Sequence, residues 1–112
     1  DFPVVLHHYI DQLTQVTERN EQKKIQRAAA RKLIRSTNLL RSDREKEWPE
    51  TLDEYASRLI IRYPQKKSQI DYFLGESIHP SDEAACFIHH LRLFMAWLES
   101  ICLLEGIIIS KT

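Results

Sequence analysis

The stretch that decides the fold is DEAACFIHHLRLFMAWLESICLLE, residues 82–105. Drawn as a helix, it is apolar over most of its circumference, and only a narrow stripe through His89, Arg92 and Glu99 is suited to water. A helix on a protein surface normally has one apolar stripe, whereas a helix that is apolar nearly all round is buried. We therefore predict a buried, central C-terminal helix that ends at Gly106.

The charged and histidine residues within this segment argue against a membrane span. Its longest uninterrupted apolar run is Leu93–Leu98, whereas a bilayer-spanning helix needs about 20 apolar residues. A small domain can bury such a helix either at the centre of a bundle or against another copy of the chain. We therefore expect no membrane partner and a helix that is covered by protein.

The N-terminal part of the chain also has helical spacing of its apolar residues. The pattern begins near Pro3, is interrupted by the polar stretch Thr17–Lys24, and resumes at Ile25. Because no Gly or Pro forces a break, one continuous helix from about 3 to 40 is favoured over two helices that meet near Asn20.

Three further features place the remaining helix boundaries. Pro49 is suited to a helix start, and Pro64 should end or kink that helix near Tyr63. A short helix over 65–74 should stop at Gly75. Ser81 is expected to cap the last helix, because its hydroxyl can accept a hydrogen bond from a free backbone N–H.

These segments predict the fold class. With two Gly and four Pro among 112 residues, the composition argues against a turn-rich β fold. We predict an all-α antiparallel bundle of four to five helices, formed as a single domain by residues 1–112. The first residue is not Met, so the chain is expected to be a piece of a longer protein.

The two cysteines indicate a reducing compartment. Cys86 and Cys102 lie on the same predicted helix, which separates them by about 24 Å at the usual helical rise. This distance is far beyond the reach of a disulfide. We expect both to be reduced, buried side chains, and the prediction for localisation is cytoplasmic.

Charge is sorted along the chain although it sums to zero. Residues 19–44 carry nine bases against two acids. Several of these bases recur at intervals of three or four, which aligns them along one helix face. The basic stripe, as we name it, consists of Lys23, Lys24, Arg27, Arg31 and Arg35.

Three interpretations of the basic stripe remain open. The simplest is a solvated face whose charge is balanced by acids near the next helix, namely Glu45, Glu47, Glu50, Asp53 and Glu54. The second is contact with an acidic protein partner. The third is contact with nucleic-acid phosphates, which would be sensitive to salt and independent of base sequence. No aromatic residue lies between Arg19 and Glu47 to stack on bases, which argues against the third.

The sequence predicts neither a metal site nor a cofactor. Cys86 and His90 are four residues apart and could share one zinc ion, but the other ligands would have to come from distant histidines, namely His7, His8 and His79. Glu76 and His79 match half of a di-iron motif, and the partner motif is missing.

No catalytic motif is present, so the chain is predicted not to be an enzyme. Residues for a weaker enzymatic hypothesis would be His79, His89 and Glu99.

The predicted function is therefore a non-catalytic helical module for protein interaction or oligomerisation. Its partner would be a second copy of the chain or another protein, and its interface would include Leu93, Trp97 and Leu104. The alternative is a nucleic-acid-binding or regulatory helical domain that uses the basic stripe.

Overall fold

The structure is a computed structural model that describes residues 2–42, 45 and 47–107. Within these residues the chain forms five α-helices and no strand: α1 (Phe2–Gln15), α2 (Arg19–Ser36), α3 (Leu52–Arg62), α4 (Lys67–Ile78) and α5 (Ala84–Leu104). Short 3₁₀ turns follow α2 and precede α4. The helices pack into a compact all-α bundle, which confirms the predicted fold class. The β-branched residues 107–109 are predicted to form a packed tail or a short strand, and 108 and 109 lie outside the described residues.

The second helix is the element on which the others meet. It contacts α1, α3, α4 and α5. Ala29, Ala30 and Leu33 of α2 are fully buried, and the two small side chains allow neighbouring helices to approach closely. The C-terminal helix α5 packs on α1 and α2 and reaches α4 through aromatic rings. The centre of the bundle is therefore α2, and α5 forms one of its walls.

The prediction of one continuous N-terminal helix is wrong, because the chain breaks at 16–18. The Glu18 carboxylate accepts hydrogen bonds from the backbone N–H groups of Asn20 and Glu21, at 3.0 and 2.8 Å, and these bonds lower its pKa. The Gln22 side-chain amide donates to the Val16 carbonyl at 2.8 Å. These bonds satisfy backbone groups that a helix end would leave unpaired. The break lets α1 fold back and bury its apolar face on α2.

Two boundaries of the later helices also differ from the prediction. Gly75 lies inside α4, which continues to Ile78 before the loop at His79 and Pro80. An isolated Gly weakens a helix without ending it unless the backbone needs a left-handed conformation, and the φ of Gly75 is not positive. Ser81 does not cap α5, because its backbone N–H and hydroxyl bind Glu76 instead.

The start of α3 lies close to the predicted position. The helix begins at Leu52, and the Thr51 hydroxyl accepts a hydrogen bond from the backbone N–H of Glu54 at 3.2 Å. Thr51 is thus the N-cap, two residues after Pro49.

The end of α5 is as predicted. Gly106 has a φ of +68°, a backbone conformation that residues with a side chain rarely adopt. The Gly106 N–H donates to the Leu103 carbonyl at 3.2 Å, and the Ile107 N–H donates to the Cys102 carbonyl at 2.8 Å. This pair of bonds is a Schellman motif, which satisfies the last carbonyls of the helix.

The two glycines should respond to alanine in opposite directions. No atom lies within 4 Å of a Cβ added at either site, so only the backbone conformation distinguishes them. We expect Gly75→Ala to stabilise the protein by about 0.5–1 kcal/mol, because Ala restricts the unfolded chain and favours a helix. Gly106→Ala should cost about 1–2 kcal/mol, because its backbone is left-handed. Urea unfolding of the two variants measures the difference, and shifts of the same sign would contradict this account.

Candidate functional site

The C-terminal helix has one buried face and one exposed face. Its buried residues are Phe87, Leu91, Phe94, Met95, Leu98 and Cys102. On the opposite side the described residues provide little cover, and Leu93, Leu103 and Leu104 are 50, 83 and 79% exposed. The expectation that nearly the whole circumference is shielded is therefore wrong for the described chain. Its neighbours α1, α2 and α4 all lie against the buried face, so the opposite face is left open.

The exposed side of α5 forms a continuous surface of small and apolar residues. Its members recur at intervals that keep them on one side of a helix. We name this surface the α5 outer face, and it consists of Ala85, Cys86, His89, Leu93, Ala96, Ser100, Leu103 and Leu104. No acid or Lys/Arg side chain belongs to it, and Arg92 and Glu99 lie along one edge.

The three predicted interface residues occupy different surroundings. Leu93 and Leu104 belong to the α5 outer face. Trp97 is partly buried and packs edge-on against the rings of Tyr63 and Phe94, at centroid distances of 5.1 and 5.3 Å. The ammonium group of Lys66 lies 4.6 Å from the Trp97 ring, and burial lowers the pKa of Lys66. Trp97 therefore packs within the bundle.

The interface predicted from the sequence does not include Leu103. It is the most exposed of the three leucines on the α5 outer face. Its spacing of seven residues from Ala96 placed it on that side of the helix, and this spacing was the available signal.

By length and composition alone, α5 could cross a membrane. It has 21 residues and a mean hydropathy of 1.3 in its most apolar window, of which 33% is buried in the bundle. The charged residues within α5 therefore do not exclude a membrane span. A single helix of this kind is weak evidence, because the core helix of a folded domain has the same properties.

The cysteines differ in exposure. Cys102 is buried as predicted, and burial raises the pKa of its thiol. Cys86 is exposed on the α5 outer face, so the prediction of burial is wrong there. Both are free thiols, as the sequence predicted.

The basic stripe lies on α2, and two of its members form salt bridges. Lys23 forms a salt bridge with Asp82 at 2.9 Å, and the Lys23 hydrogen bond lowers the pKa of Asp82. Lys24 pairs with Glu21 at 3.4 Å on the exposed surface of the same helix. Within the described residues, Arg27 and Arg31 form no salt bridge or hydrogen bond through their side chains, and the same is true of Arg35.

The exposed cations of α2 line an open cavity of about 380 Å³ against α1. We name it the cationic groove, and its lining residues are Tyr9, Lys24, Arg27, Ala28, Arg31, Lys32 and Arg35. The sequence had not placed Tyr9 or Lys32 with the stripe. Tyr9 reaches the groove only because α1 folds back on α2, so no local signal could have found it.

Of the five acids expected to balance the basic stripe, Glu45 and Glu54 have their carboxylates engaged elsewhere. Glu45 forms a salt bridge with Arg62, and the Glu47 carbonyl accepts a hydrogen bond from Arg58. Glu54 accepts a hydrogen bond from the backbone of Glu50. In the described part of the chain, none of the five predicted acids pairs with the stripe, so the simplest interpretation lacks its expected counter-charges.

The residues considered for metal binding and catalysis do not converge. Among the described residues, no three His, Cys, Asp or Glu side chains are placed to hold a metal ion. The His90 ring packs on Tyr72 at 4.2 Å, while Cys86 is exposed. His89 and Glu99 lie ten positions apart on α5, which corresponds to about 15 Å of helix.

Among the described residues, Glu76 carries the one buried carboxylate, and its hydrogen bonds explain why it is buried. Glu76 of α4 accepts hydrogen bonds from the Gln26 side-chain amide at 2.9 Å and from the Ser81 N–H at 2.9 Å. The Ser81 hydroxyl lies 3.1 Å from the same carboxylate, and the Gln26 amide also reaches the Ser81 carbonyl at 3.1 Å. This buried cluster joins α2, α4 and the loop before α5. The role of Glu76 is therefore structural, because each group that donates a hydrogen bond to its carboxylate belongs to the fold itself.

Comparisons with known proteins give no further guidance to the site. No family model, curated protein or solved structure shows significant similarity to this chain.

Replacing Glu76 should destabilise the bundle strongly. In Glu76→Ala the Gln26 amide and the Ser81 N–H lose the carboxylate acceptor that they share. We expect a loss of about 3 kcal/mol in the free energy of unfolding. The matched control is Asp71→Ala, which removes an exposed carboxylate from the same helix together with its pair to Lys67. The control should cost no more than about 0.5 kcal/mol. Chemical denaturation measures the free energy of unfolding of both variants, and similar losses in the two would contradict the structural role of Glu76.

Proposed function

We propose that this protein is a non-catalytic helical interaction module that self-associates through the α5 outer face. The observation that carries the proposal is the exposure of three leucines on one uncharged helix face. Contiguous apolar surface is rare on proteins that act alone, and it marks surfaces that bind other molecules. Burying the leucines against a partner would recover about 25 cal/mol for each Å² removed from water.

The composition of the face supports a second copy as the partner. In a twofold dimer each surface meets itself, so it must be self-complementary. A face with net charge would meet like charge, and the α5 outer face has no charged member. Small residues such as Ala96 and Ser100 leave room for a facing helix to approach closely.

Polar substitution of the leucines should abolish self-association without unfolding the protein. We expect the double variant Leu93→Gln/Leu104→Gln to weaken dimerisation at least about 100-fold, because the apolar burial of four leucines would be lost from each dimer. Sedimentation velocity across a range of protein concentrations measures this. The unfolding free energy of the monomer should change by less than about 0.5 kcal/mol per site, because both residues are exposed.

The matched control is Ile61→Gln/Ile78→Gln, which alters two exposed apolar residues on α3 and α4. These substitutions should leave self-association unchanged. A wild-type protein that stays monomeric at every concentration would refute the proposed function.

A second candidate function is binding of a nucleic-acid backbone in the cationic groove. The groove brings five cations to one open cavity, and four of them form no ion pair among the described residues. Tyr9 adds an aromatic ring to its wall, the kind of side chain on which a base can stack. The lining side chains run from Lys24 to Arg35, about 16 Å along α2, which is long enough to contact several phosphates.

This candidate predicts a uniform and salt-dependent loss of binding. Arg27→Ala, Arg31→Ala and Arg35→Ala should each weaken binding to a single-stranded oligonucleotide by a similar factor. Each should also lower the slope of log affinity against log salt by about 1. The control is Lys67→Ala, which lies outside the groove and is paired with Asp71. Fluorescence anisotropy tests this, and no binding by the wild type at low salt would exclude it.

A further inference from the structure

The small and large residues of the α5 outer face lie at opposite ends of the helix. Residues 18 positions apart are five turns apart and share one line along a helix. Ala85 and Leu103 share such a line, and Cys86 and Leu104 share another. The side chains at the N-terminal end of the face are therefore small, and those at the C-terminal end project further from the helix.

The middle of the face has the same symmetry. His89 and Ser100 lie 11 positions apart, about three turns. Leu93 and Ala96 flank the centre of the face. The midpoints of these four pairs agree to within one residue, at positions 94 to 95. If a second α5 lies antiparallel about this midpoint, each projecting side chain meets a shallow position, as close helix packing requires.

Two charged residues beside the face have their midpoint between residues 95 and 96, about one residue from the midpoints of the four pairs. Arg92 and Glu99 lie on one edge, two turns apart, on either side of the midpoint. In the described residues neither forms an ion pair. Together with His7, Met95 and Ala96 they line a shallow cavity of about 210 Å³ that is open to a facing side chain.

The pairing of these charges distinguishes the two orientations of a helix pair. In a parallel pair the twofold axis places this edge against the opposite edge of the partner's face, which has no charged member, so Arg92 and Glu99 would stay unpaired. In an antiparallel pair each arginine faces a glutamate. Charge and side-chain size therefore favour the same orientation.

We infer that two copies of this chain pair through antiparallel α5 helices, with Arg92 of each copy bound to Glu99 of the partner subunit. The inference rests on the proposed self-association and adds its partner, orientation and register. The helix is about 30 Å long, so the contact is smaller than a standard interface and the dimer should be weak and concentration-dependent.

Charge reversal tests the pairing of Arg92 with Glu99. Arg92→Glu and Glu99→Arg should each weaken dimerisation about 5-fold, because each places two like-charged pairs in the dimer. The double variant carrying both changes should restore the wild-type dissociation constant, since the pairs re-form with opposite polarity. Sedimentation equilibrium gives the constants. Single variants that dimerise like the wild type would overturn this register while self-association stands, whereas a monomeric wild type would overturn the proposed function itself.

Cys86 provides an independent test of orientation, because its thiol is exposed while that of Cys102 is buried. The antiparallel register places Cys86 opposite Leu104 of the partner subunit. It separates the two Cys86 residues of the dimer by about 25 Å, too far for a disulfide. Under mild oxidation Leu104→Cys should therefore form a covalent dimer, and the wild type should not.

The control for the disulfide test is Cys86→Ala combined with Leu104→Cys, which should form no covalent dimer. Non-reducing electrophoresis at concentrations where the protein self-associates measures all three proteins. A wild-type dimer linked through Cys86 would show parallel helices and overturn the inference. A Leu104→Cys protein that dimerises without forming the disulfide would overturn it as well.

Discussion

The hydrogen bonds of Glu76 are the constraint on which the arrangement of this bundle depends. A buried carboxylate is costly unless several donors satisfy it. Here Gln26 of α2 and Ser81 of the following loop supply those donors. The cluster therefore fixes α4 against α2 and fixes the loop from which α5 begins. The position of that loop decides which side of α5 meets the core.

The surface of α5 follows from this placement. Phe87 and Phe94 pack edge-on against Phe73 of α4, at centroid distances of 5.9 and 5.7 Å. Edge-on aromatic packing of this kind fills a core with well-defined geometry. Since the neighbouring helices all lie on that side, the core accommodates only half of an almost wholly apolar helix. The remaining half is the surface on which the proposed self-association depends.

The distribution of charge has a similar origin. Acids near α3 are engaged within their own region, where Glu45 pairs with Arg62 and Glu54 accepts a bond at the helix start. Asp82, in the loop before α5, forms salt bridges with Arg19 and Lys23. The remaining cations of α2 line the cationic groove, although the chain as a whole has no net charge. Neutrality of a sequence therefore does not imply neutrality of each surface.

The sequence by itself determined the properties that depend on neighbouring residues. Apolar spacing predicted the helices and the all-α class. Gly106 predicted the end of α5, because glycine has no side chain and so adopts the left-handed backbone conformation without strain. Only the tertiary structure decided the burial of Glu76 and the exposed face of α5. The physical reason is distance along the chain: Gln26 and Glu76 are 50 residues apart, and Tyr9 enters the groove from another helix. A helix that is apolar on every side carries no local signal for which side will be covered, so the packing of the other helices makes that choice.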